Sequence, residues 1–117
     1  MELKRAEWAK ADAIARELAL DVDRNELGKI VAYAHRTRDT DKVLALVERL
    51  PRSGYVRSGR TRGYLERIAG VLRRELAGLE DERALAVLAW AFRLLTTYQT
   101  ERGTRKAAGR RRRGHRN

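Results

Sequence analysis

The chain has 117 residues, no cysteine, 43% hydrophobic and 37% charged residues, and a net charge of +11. That length sets one domain with one modest core, and the absence of cysteine removes disulfides and thiolate metal sites. No apolar run approaches the roughly 20 residues that cross a bilayer, and the charged start, Met1 to Glu7, lacks the apolar stretch of a secretory signal, so a cytoplasmic protein with no membrane partner is expected.

Only one proline occurs, and the apolar residues recur at helical spacing. From Leu3 to Leu20 the stripe is Trp8, Ala11, Ile14, Ala15 and Leu18. The stretch Val22 to Glu26 interrupts it, with Asp23 and Glu26 spaced as an N-cap and its capping-box partner. A second helix carries Leu27, Ile30, Val31 and Ala34. The polar segment His35 to Thr40 follows. Arg36 and Arg38 there stand beside Asp39 and Asp41, which reads as a local ion-pair cluster, and Thr40 is placed to cap a third helix with Val43, Leu44, Val47 and Leu50. Pro51 stops that helix, because proline excludes the helical conformation just before it.

Residues 51–59 read as the clearest loop in the chain. A fourth helix starts at Ser58 or Gly59, with Leu65, Ile68, Leu72 and Leu76 as its core stripe and Gly78 as the residue that ends it. Glu80, Asp81 and Glu82 supply acids to the start of a fifth helix. That helix is apolar over most of its circumference from Leu85 to Tyr98, which marks it as the central helix or one side of an interface. Gly103 is expected to end it. The predicted fold is all-α, a bundle of about five helices over residues 1–102, with an arginine-rich tail at 103–117.

The charge is not spread evenly. Residues 1–51 and 68–102 are each neutral; residues 52–67 carry net +4 and residues 103–117 net +7, which accounts for the whole excess. Two concentrated basic patches on neutral helices point to a polyanionic partner. In the first, Arg52, Arg57, Arg60, Arg62 and Arg67 offer guanidinium groups suited to bidentate phosphate contacts. Ser58, Gly59 and Thr61 stand where a helix begins, so unpaired backbone N–H groups face outward. Tyr55 and Tyr64 are the aromatic residues available to stack on unpaired bases. In the second patch, Arg105, Lys106, Arg110, Arg111, Arg112, Arg113 and Arg116 form a basic arm of the kind that binds nucleic acid through counterion release.

Nothing comparable points to catalysis. His35 and His115 are the only histidines, and no phosphate-binding glycine loop, nucleophile elbow or paired-histidine zinc motif occurs. The expected protein is a non-enzyme that needs no cofactor or metal.

In length, helical content and basic character, with the helix start Arg57-Ser58-Gly59-Arg60-Thr61-Arg62 and the apolar helix Leu85 to Tyr98 containing Ala89-Trp90-Ala91-Phe92-Arg93, the chain resembles the small subunits of type III CRISPR effector complexes. The resemblance covers residues 24–100 as architecture; the arginine tail falls outside it. It implies a non-catalytic subunit that packs beside other subunits, copies of itself included, and turns Arg57, Arg60 and Arg62 toward an RNA backbone. RNA or single-stranded nucleic acid is therefore the expected partner. Two other readings remain open from the residues: a small DNA-binding protein whose fourth helix enters a groove, and an adaptor that recruits an acidic protein.

Overall fold

A computed structural model describes residues 2–114, with side chains described through Glu101. Its elements are α1 (Arg5–Ala19), α2 (Arg24–Thr37), α3 (Thr40–Arg49), a 3-10 turn at Leu50–Arg52, α4 (Gly59–Leu76) and α5 (Asp81–Gly114), and no strand occurs among the described residues. The all-α bundle of five helices is as expected.

The connections are short because each helix end is closed locally. Asp23 caps α2 by accepting the Asn25 N–H at 2.8 Å. α2 ends on Arg38, a non-glycine residue in the left-handed region (φ 54°), whose N–H reaches the Ala34 carbonyl. The cap of α3 is Asp39 rather than the expected Thr40: the Asp39 carboxylate accepts from the Lys42 N–H, while Thr40 is buried one residue inside the helix. Asp39 is thus spent on capping, and the expected ion-pair cluster with Arg36 and Arg38 does not form among the described residues. Gly78 closes α4 at φ 80°, as the sequence indicates.

Side-chain ties fix the helix directions. Arg67 of α4 pairs with Asp21 just after α1, and Arg74 pairs with Glu17 inside α1, so α4 runs against α1. At the start of α5, Arg83 meets Glu7, and at its middle Tyr98 donates to Asp12 and Gln99 to the Val22 carbonyl, so α5 runs with α1. Arg73 bonded to Glu48 sets α3 against α4. The order is up, down, up, down, up.

One core is shared by all five helices: Ile14 and Leu18 from α1, Leu27 and Ile30 from α2, Val43 and Val47 from α3, Ile68 and Leu72 from α4, Val87, Leu88 and Leu95 from α5. α5 lies chiefly against α1 and α2 and hardly meets α3 or α4, so of the two roles its apolar sequence allowed it is not the central helix; Leu85, Trp90, Phe92 and Leu94 on it stay half-buried. Glu7 is buried yet satisfied, accepting from the Lys4 N–H at 2.8 Å and from Arg83 at 3.3 Å. Two expectations fail at the surface. Trp8 is 37% exposed, leaning on half-buried Trp90 at 4.8 Å between ring centroids. α5 does not stop at Gly103 but continues to Gly114, because a single glycine inside a helix costs only about 1 kcal/mol and the Arg, Lys and Ala positions around it favour helix. At 1.5 Å per residue its 34 residues run about 51 Å, close to the 56 Å long axis of the molecule.

Candidate nucleic-acid interface

The link from α3 to α4 builds the first basic segment. Buried Pro51 ends α3, and the chain turns through Leu50–Arg52, where the Ser53 N–H and hydroxyl both donate to the Leu50 carbonyl (3.1 and 2.8 Å). Val56, half-buried against the core, pins the middle of the loop. That anchor leaves its neighbour Tyr55 93% exposed. Arg57 is exposed beside it. Ser58 then caps α4, its hydroxyl accepting from the Thr61 N–H at 3.3 Å and its carbonyl from the Arg62 N–H at 3.0 Å. No acidic residue lies in the first turn of α4, so the positive helix end and the side chains of Arg60 and Arg62 reinforce one another.

The arginines of α4 divide into two groups. Arg67 pairs with Asp21 at 3.1 Å, Arg73 with Glu48, and Arg74 with both Glu17 and Glu75. These pairs neutralise the middle and end of the helix; the Arg73 hydrogen bond, aided by nearby Arg52, holds the Glu48 carboxyl below its usual range. Arg57, Arg60 and Arg62 form no ion pair among the described residues, and all three are exposed. The unpaired arginines of this segment therefore stand at the start of α4.

The structure sorts the sequence candidates accordingly. Arg57, Ser58, Arg60, Thr61 and Arg62 come together at the helix start, with Tyr55 on the adjoining loop. Arg52 lies instead in the 3-10 turn, on an open groove shared with Glu48, Arg49, Pro51 and Glu66. Arg67 is already engaged by Asp21, and Tyr64 is half-buried against the core, so the open aromatic ring beside the helix start is Tyr55's and not Tyr64's. The positions of Arg105, Lys106, Arg110, Arg111, Arg112 and Arg113 fall on α5, with side chains outside the described residues, and Arg116 lies outside them altogether. Charge bookkeeping by segment overlooked Arg49, exposed in the last turn of α3, because residues 1–51 balance overall. Its signal was its place in the turn before Pro51.

Among the described residues no cluster of three His, Cys, Asp or Glu is arranged for a metal ion, and no helix is long and apolar enough to cross a membrane. Compared with family models, curated proteins and solved structures, the chain matches none. Its own residues carry the functional reading.

Proposed function

We propose that this is a non-catalytic RNA-binding protein, a small subunit of a ribonucleoprotein complex that grips the phosphate backbone of a single strand. The observation that carries the reading is the set of free arginines at the start of α4. Within α4, Arg67, Arg73 and Arg74 are matched by carboxylates, whereas Arg57, Arg60 and Arg62 stand unmatched within six residues of one another at the helix start, beside Tyr55, which is 93% exposed. Unmatched guanidinium groups supply affinity for phosphate, and an exposed ring supplies stacking for an unpaired base. The resemblance to small subunits of type III CRISPR effectors favours the same reading for Arg57–Arg62. A subunit role is supported by the surface where Trp8 leans on Trp90 and the Arg93 guanidinium lies 4.8 Å over the Trp90 ring, since exposed tryptophan and arginine are what protein interfaces bury.

Binding of a labelled single-stranded RNA, measured by fluorescence anisotropy across a salt series, tests this. The variant carrying Arg57→Ala, Arg60→Ala and Arg62→Ala should bind at least tenfold more weakly at moderate salt. Its log–log salt slope should be shallower by about 2, because each lost phosphate contact on a single strand removes about 0.7. Arg73→Ala with Arg74→Ala takes charge from paired sites and should leave that slope nearly unchanged. Equal slopes for the triple variant and the parent would refute the reading.

A further inference from the structure

Resting on the subunit part of that reading, and naming its partner, we propose that the outer face of α5 is a two-fold interface with a second copy of this chain, the two helices running antiparallel. RNA binding at the start of α4 does not enter the argument.

The face stands out first by its lack of charge. From Ala84 to Thr100 the only charged residue is Arg93, in a chain that is 37% charged. The core explains only one side of that stretch, where Ala84, Val87, Leu88, Ala91 and Leu95 are buried. At about 100° per residue, positions 82, 86, 89 and 93 fall within an arc of about 60° on the side opposite those residues. They are Glu82, Ala86, Ala89 and Arg93. The edge toward α2 is kept low by Gly28 and Ala32 beside Phe92. On the edge toward α1 stand half-buried Trp90 and Trp8, which is 37% exposed. A weakly charged, tryptophan-edged helix face is what a protein interface covers.

The spacing and the charges decide the occupant. The four outward positions follow one another at steps of four, three and four residues, so their geometry reads the same from either end. Their charges do not, since Glu82 stands at one end and Arg93 at the other. An antiparallel copy related by a two-fold midway between positions 87 and 88 sets each Ala86 against the partner's Ala89, and each Arg93 against the partner's Glu82. A parallel copy in register would oppose like charges instead. Glu82 and Arg93 are both exposed, and neither has an ion pair among the described residues. Alanines at the centre of the seam let the two helix axes approach to about 8 Å, the near end of the usual range. The same two-fold keeps the α1 edge of one α5 on the α1 edge of the other, so the two Trp8–Trp90 pairs lie on one side of the seam.

A charge swap in the full chain tests this by sedimentation equilibrium, after high-salt washing has removed nucleic acid. The parent should form a dimer. Arg93→Glu puts Glu–Glu contacts at both ends of the seam and Glu82→Arg puts Arg–Arg contacts there, so each should weaken dimerisation at least about tenfold. These two variants shift the net charge in opposite directions, so general repulsion cannot weaken both. The chain carrying both substitutions regains two opposite-charge pairs and should dimerise within threefold of the parent. Unchanged helicity by circular dichroism would verify that each variant is folded. A monomeric parent would overturn the proposal and leave the face to a different chain. Single variants that dimerise as well as the parent, or a double variant no better than the singles, would overturn it too. A monomer that still binds RNA would leave the RNA reading standing, whereas a dimer that binds none would remove that reading and not this one.

Discussion

Glycine shows how differently one residue type can serve within a single helix–turn. Gly63 sits inside α4, exposed, with negative φ, and a Cβ added there meets nothing within 4 Å. The bundle's own packing gives no reason for it, and glycine in a helix interior costs about 0.5–1 kcal/mol relative to alanine. Gly63→Ala should therefore raise stability by about that amount in urea unfolding. Gly78 also has open space around it, but its φ of 80° makes any side chain unfavourable, so Gly78→Ala should lower stability by about 1 kcal/mol. Opposite signs for the two substitutions would separate backbone conformation from packing; equal signs would contradict that account. The sequence marks Gly78 plainly, since it follows the last apolar position of the helix. It hides the freedom of Gly63, which only the placement of neighbouring helices reveals. Residue pairing was hidden in the same way: Arg67 and Arg60 look alike in sequence, and only the position of Asp21 distinguishes them.

At the scale of elements, periodicity located all five helices, because each buries one face against the others and the apolar spacing records that face. Boundaries were less legible where two cues competed. Thr40 follows Asp39, and both can cap; the carboxylate at 39 takes the role because Thr40 is needed inside, with its N–H donating to Asp81 at 2.9 Å. That bond joins the start of α3 to the start of α5, elements 41 residues apart. It is also invisible to local pattern. Asp81→Ala should loosen the start of α3 as well as that of α5. In amide hydrogen exchange, protection should fall in the first turn of both helices while the middle of α1 is unaffected. A loss confined to α5 would show that the bond does not couple the two ends. Gly103 was the larger boundary error, since a glycine after a long apolar run commonly marks a helix end. Helix formers on both sides carry α5 across it.

Across the whole molecule, acid should act on the bundle through a few carboxylates that the fold has engaged. Asp12 is held below its ordinary range mainly by the Tyr98 hydroxyl and then by the Arg16 hydrogen bond, Glu48 mainly by Arg73, and Asp81 mainly by the Thr40 N–H. They link α1 to α5, α3 to α4 and α3 to α5 respectively. A carboxyl whose folded value is depressed contributes stability that is fully present above its unfolded value and is lost as pH falls through the folded one. The melting temperature should thus be flat from neutral pH down to about 5, then fall steeply below about pH 4, where these groups and the remaining acids protonate. Protonation also removes the anions that offset 27 Lys and Arg, so self-repulsion adds to the loss in the same pH range. Asp12→Asn with Asp81→Asn distinguishes the two contributions, since it removes two of the three depressed carboxyls while raising the net charge by only two. If engaged carboxyls dominate, the double variant should melt lower than the parent at pH 7 and lose less on going to pH 3. If its melting temperature falls as far as the parent's between those pH values, general charge repulsion governs acid unfolding, and the three links across the bundle contribute little.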